Sequence, residues 1–218
     1  MNRWRITIVL LIALSIFLIL GSAWFEWGPW NAYRDIMESW RPENAYARNY
    51  PEVPPILRAV GALFTLFLSG ILALFVFPAQ VRRMEIAYSS SGIALVRMAI
   101  LGLLTGILLA AIAISSALTM GTFPLTIILG SVLFLSGFLG VVALAYTLGR
   151  ILLARADWNY LSPIYALLLG LLILFALGEI PYLGIVLQIL FGSLGVGVII
   201  ITRFGTGRPW NLSALTED

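Results

Sequence analysis

The chain has 218 residues, of which 61% are apolar and 11% charged, with a formal net charge of +3. A soluble domain carries about 25% charged residues, so this composition cannot cover a surface facing water and implies an integral membrane protein. There is no His and no Cys, and all 13 basic residues are Arg, which excludes thiolate and imidazole ligand sets, catalytic thiols, His bases and lysine Schiff-base chemistry.

Six apolar runs are long enough to cross the hydrocarbon core as helices: 6–25, 57–78, 93–118, 123–148, 162–178 and 182–202. The first follows Arg3 and Arg5, and with Gly21-Ser22-Ala23 behind it resembles a secretory signal. It is read here as a retained signal anchor occupying 1–25. Residues 26–56 form the one sizeable polar stretch. Within it Pro29 suits a helix start, and Trp30, Tyr33, Met37 and Trp40 recur on one helical face. A short amphipathic helix on the outer membrane surface satisfies these aromatic rings. Trp27, Trp30, Tyr33 and Trp40 also have the chemistry of a docking platform. Tyr50-Pro51-Glu52-Val53-Pro54-Pro55 is then a stiff return into a five-helix bundle over 57–202. The run 162–178 either crosses fully or dips and returns, and Gly178-Glu179-Ile180-Pro181 sets a tight hairpin before the last span. Residues 203–218 form a tail containing Trp210.

Arginine placement fixes the expected orientation. Arg3, Arg5, Arg82, Arg83, Arg150, Arg155, Arg203 and Arg208 fall on one side of a six-span arrangement. The positive-inside rule then places both termini in the cytoplasm and 26–56 outside. The fold expected is an all-α integral membrane protein with about six transmembrane helices and a short outer interfacial helix.

Three small-residue faces stand out: Gly102 with Gly106, Gly137 with Gly140, and Gly192, Gly195 and Gly197. Small residues allow helix backbones to approach where lipid cancels the hydrophobic effect, so packing within the chain is expected ahead of a homodimer seam. Ionisable groups inside spans are the usual pointer to a transport path. Here the ionisable candidates are Glu179 and Arg97, read first as interface anchors, and Gln188 is the one other strongly polar side chain within a span. No P-loop, dinucleotide fingerprint, HExxH, GxSxG or EF-hand pattern occurs. Glu26, Asp35 and Glu38 show no base or metal geometry that would make a lipid-acting enzyme. Nucleic acid is not an expected partner, because the Arg pairs sit at membrane edges beside anionic lipid.

From about residue 75 the order of features is distinctive. Phe77-Pro78-Ala79-Gln80-Val81-Arg82-Arg83 is followed by Thr119-Met120-Gly121-Thr122-Phe123-Pro124-Leu125 and Leu148-Gly149-Arg150. Then come Ala166-Leu167-Leu168-Leu169-Gly170, Glu179-Ile180-Pro181-Tyr182-Leu183-Gly184 and Gly192-Ser193-Leu194-Gly195-Val196-Gly197. Over roughly 70–202 this resembles the multi-span membrane module joined to bactofilin-like polymer-forming cytoskeletal proteins of bacteria. The β-helical polymerising part has no counterpart in these 218 residues. The resemblance implies a bacterial plasma-membrane scaffold or partner-binding module and brings no catalytic residues.

The expectation is therefore a non-catalytic scaffold or accessory subunit of a respiratory, photosynthetic or cytoskeletal assembly. It would contact membrane lipids and other membrane subunits, with no cofactor beyond a lipid, quinone or pigment lodged between helices. The alternative is a small transporter or channel for an apolar or weakly polar solute, using Glu179, Gln188 and Arg97.

Overall fold

A computed structural model describes residues 3–25, 54–118, 123–158, 160–180 and 182–203. Among them every element is helical: α1 (Arg3–Phe25), α2 (Pro55–Val76), α3 (Pro78–Tyr88), α4 (Gly92–Leu118), α5 (Phe123–Arg155), α6 (Pro163–Gly178) and α7 (Leu183–Thr202). Proline stands at the first or second position of α2, α3, α5 and α6. Its missing N–H is one of the orphan donors of a helix start and its fixed φ suits one. Among the described residues five helices are long and apolar enough to cross a membrane, and Pro163–Gly178 is a shorter apolar one. The chain is an all-α, multi-pass membrane protein. The expected outer interfacial helix within 26–56 lies outside the described residues.

Two boundaries differ from the sequence reading. The run 57–78 does not continue as one helix: α2 stops at Val76, and Phe77 takes φ −124° and ψ 45° before α3 begins at Pro78. Proline disfavours the helical region for the residue before it and cannot donate to the ladder. The fourth span, read as ending at Leu148, runs on to Arg155 as a 33-residue helix. At 1.5 Å per residue it is about 50 Å long, longer than the hydrocarbon core, so Arg150 and Arg155 can fall beyond it.

The chain forms two compact units. The first comprises Met1–Val76 and Leu144–Phe191, with α6 at its centre. Helices α1 and α2 pack on α6 and on each other. Ile8, Leu153, Ala156, Ala166, Leu169 and Ile173 make its core, with Ile12, Tyr146, Trp158 and Leu177 against it. Helix α6 is the short one at 16 residues, and nine of these are buried. Leu167 is fully buried and lies 3.1 Å from where a Cβ on Gly70 would sit. The glycine lets a leucine side chain settle directly on the backbone of α2.

The second unit comprises Phe77–Ala143 and the chain from Gly192 onward. Its buried side chains include Val81, Met84 and Tyr88 of α3, Met98 of α4, Val142 and Ala143 of α5, and Val198 and Ile199 of α7. The α3–α4 turn is made by three serines. Ser89 Oγ donates to Glu85 O at 2.9 Å and Ser90 Oγ to Ala87 O at 2.7 Å, ending α3. Ser91 Oγ accepts from Ala94 N at 3.2 Å and caps α4. On the far side of α4, Ser116 and Thr126 hydroxyls meet at 2.6 Å and tie its last turn to the first turn of α5.

Candidate functional site

Among the described residues the same helix-pairing device occurs once in each unit. In the first, a Cβ on Gly149 would collide with the Ala166 carbonyl oxygen, and a Cβ on Gly170 with the Ala145 carbonyl oxygen. In the second, a Cβ on Gly102 would collide with the Ser193 carbonyl and a Cβ on Gly197 with the Met98 carbonyl. Each glycine lies four residues after the residue whose carbonyl receives the opposite glycine. This reciprocal register is that of an antiparallel pair, α5 with α6 and α4 with α7. The Cα hydrogen that a side chain would replace points at a carbonyl oxygen, the geometry of weak C–H···O bonds between helices.

A second crossing in the latter unit joins α5 to α7. A Cβ on Gly140 would strike the Gly195 backbone, and one on Gly195 would lie 2.6 Å from the Gly137 oxygen. Gly195 and Gly197 therefore serve two different neighbours, α5 and α4. Of the glycines singled out in the sequence, Gly102, Gly140, Gly195 and Gly197 sit at backbone contacts. Gly137 contributes its carbonyl, while Gly106 and Gly192 have nothing within 4 Å of a Cβ. The Ala145, Gly149, Ala166 and Gly170 set was missed. Its signal is the small-xxx-Gly spacing on both sides of the 156–162 connection.

Tyr88, also missed, secures the α5–α7 crossing. Val81, Met84 and Tyr88 are spaced three and four apart, so α3 presents one apolar face. The single Tyr88 O–H is shared between two acceptors, Gly140 O at 3.1 Å and Leu194 O at 3.2 Å. One phenol thus bridges two backbones beside the Gly140–Gly195 contact. Burial pushes the phenol above its ordinary pKa, keeping it a neutral donor. Tyr88→Phe should cost about 1 kcal/mol, the net value of an ordinary hydrogen bond. It should also speed amide exchange across 78–88, which hydrogen-exchange mass spectrometry reads directly.

The polar candidates for a path divide between the units. Glu179 is only 4% exposed, at the end of α6. The structure thus buries it where an interface anchor would reach out. Gln188 Nε2 donates to Gly178 O at 3.4 Å, one residue away. Gly184 N bonds Ile180 O at 2.7 Å, and Tyr182 takes φ 59°, closing the tight α6–α7 turn. Arg97, in the other unit, is exposed on α4. Among the described residues no buried side-chain N or O atom lacks a hydrogen-bond partner, as a lipid environment requires. No group of three or more His, Cys, Asp or Glu side chains gathers among them. Trp27, Trp30, Tyr33, Trp40 and Trp210 lie outside the described residues.

These features define a multi-pass α-helical membrane protein whose helices meet backbone to backbone at glycines. Comparison with protein-family models, curated proteins and solved structures finds no match.

Proposed function

We propose that the chain is a non-catalytic membrane scaffold or accessory subunit that docks on a larger bacterial membrane assembly. The observation that carries this reading is the reciprocal seating of glycines on carbonyls in each unit. Helix pairs in backbone contact leave no room for a water-filled path along their shared seam, and they make stiff blocks suited to presenting other surfaces. The aromatic set Trp27, Trp30, Tyr33 and Trp40, with Trp210 in the tail, supplies rigid ring area of the kind that dominates binding hot spots. The resemblance of 70–202 to a bactofilin-joined membrane module supports the same role. In this reading the chain lies in the bacterial plasma membrane, both termini cytoplasmic and 26–56 outside. Its partners are lipids and other membrane subunits of a respiratory, photosynthetic or cytoskeletal assembly.

The test is purification in mild detergent followed by mass spectrometry and an absorption spectrum. Stoichiometric co-migrating subunits are expected, and Trp30→Ala with Trp40→Ala should release them without lowering the thermal midpoint of the bundle. Unchanged co-purification of the double variant would overturn the docking role.

One observation favours the transporter reading: Glu179 is buried beside the Gln188–Gly178 bond. That reading requires solute flux into liposomes that Glu179→Ala reduces, and equal flux in protein-free vesicles removes it.

A further inference from the structure

Two segments about 150 residues apart exchange side chains at one end of the first unit. The Arg155 guanidinium lies over the Trp4 ring, 4.8 Å from its centroid. In return, the Arg5 guanidinium lies 5.9 Å from the Trp158 ring centroid, and its Nε donates to Ala156 O at 3.1 Å. One helical turn and a little more before Arg155, Arg150 lies 5.9 Å from the Tyr146 ring.

The helix ending at Arg155 makes this exchange possible. Asp157 takes left-handed backbone at φ 59°. The Trp158 N–H then reaches back to Leu153 O at 2.9 Å and the Asp157 N–H to Ala154 O at 3.2 Å. These two bonds end a helix through a left-handed residue and reverse the chain, so Trp158 returns to meet Arg5. Arg5 in turn caps the helix C-terminus, where carbonyl oxygens favour a cation.

We propose that this end of the first unit binds the phosphodiester headgroup of an anionic phospholipid, a role independent of the docking described above. Charge supports it. Across 4–12 and 146–158 the charged residues are Arg5, Arg150 and Arg155 against Asp157 alone, a surplus of cations. Orientation supports it as well. A guanidinium laid on a ring is held before any ligand arrives, and it carries five N–H donors in a plane that matches phosphate oxygens. Of those on Arg5, the Ala156 bond uses one. Depth selects a lipid over a soluble anion. The cluster stands where the apolar window Trp4–Gly21 begins and the window Thr126–Arg155 ends, the level at which Trp rings and lipid phosphates both reside.

The experiment uses the full chain in an uncharged detergent, titrated with phosphatidylglycerol, phosphatidylcholine or inorganic phosphate, with bound lipid read by native mass spectrometry. Phosphatidylglycerol should be retained in preference to phosphatidylcholine. Arg5→Gln with Arg155→Gln should weaken that preference roughly fivefold per arginine, about 25-fold for the pair. Arg203→Gln, in the other unit, should leave it unchanged. Should the double variant fail to fold, Arg155→Gln alone keeps the Arg5–Ala156 bond and should show about fivefold. Equal retention of the two lipids, or full preference in a folded Arg155→Gln variant, would overturn the proposal. So would displacement of phosphatidylglycerol by inorganic phosphate at comparable concentration, which marks a soluble-anion site.

Discussion

Gly197→Val should be among the most damaging single substitutions in the chain, lowering stability in detergent by about 3 kcal/mol, the upper range for overpacking. The reason is the identity of the obstructing atom. A Cβ at 197 meets the Met98 carbonyl oxygen and backbone, and a helix backbone cannot rotate aside as a side chain can. The α4–α7 pair must move apart, which also lifts Gly102 off Ser193. Hence Gly102→Ala and Gly197→Ala should be strongly non-additive, because the first to separate the helices removes most of what the second would disturb. Gly106→Val is the control, since nothing lies within 4 Å of a Cβ there. Thermal midpoints of these four variants and of the Gly102→Ala/Gly197→Ala double variant decide the matter. Equal midpoints for Gly197→Val and Gly106→Val would show that the α4–α7 contact carries little stability.

Gly170→Val should do comparable damage, about 3 kcal/mol, by forcing α6 away from the Ala145 backbone. Helix α6 also holds Leu167 against α2 at Gly70 and packs on α1, so displacement of this one helix disturbs every helix of its unit. Leu167→Ala should cost less, about 1–2 kcal/mol. In water such a truncation costs about 2–5 kcal/mol, but lipid removes the transfer part and leaves only lost packing. Gly61→Val, on the open side of α2, should be near neutral. The expected order of unfolding midpoints is therefore Gly61→Val highest, Leu167→Ala next and Gly170→Val lowest. A reversal of the last two would assign the unit's stability to side-chain packing over backbone approach.

The spans were legible because hydrocarbon thickness is a length requirement that apolar runs report directly. The two boundary differences have particular causes. Phe77 and Pro78 extend the apolar run of α2, so hydropathy alone hides the break that proline geometry imposes. Gly149-Arg150 looks like the end of a span. Yet Gly149 is there to meet Ala166, and an arginine near the end of a span is tolerated because its long stem carries the charge outward. Glycine spacing named Gly102, Gly140, Gly195 and Gly197 as packing residues but could not name their partners. The Ala145–Gly149 and Ala166–Gly170 pair was hidden because alanine is unremarkable in a helix, and only the reciprocal register gives it meaning. The Arg–Trp exchange joins residues about 150 apart, and no local pattern encodes that. Tyr88 was overlooked in a segment read as a connection, although Val81, Met84 and Tyr88 already carry helical spacing.

The composition of the first unit has a consequence for how the chain is made. Helices α1 and α2 precede residue 77, while the helix they surround is α6, at Pro163–Gly178. Translation runs at about 5–20 residues per second, so the roughly 100 residues between α2 and the end of α6 take some 5–20 s to synthesise. For that interval α1 and α2 have reached the bilayer without the surface they are shaped to clasp. Insertion machinery or surrounding lipid must shield the Gly70 notch and the Ile8 face until α6 arrives, which makes this the stage of biosynthesis most open to mispairing and quality-control proteolysis.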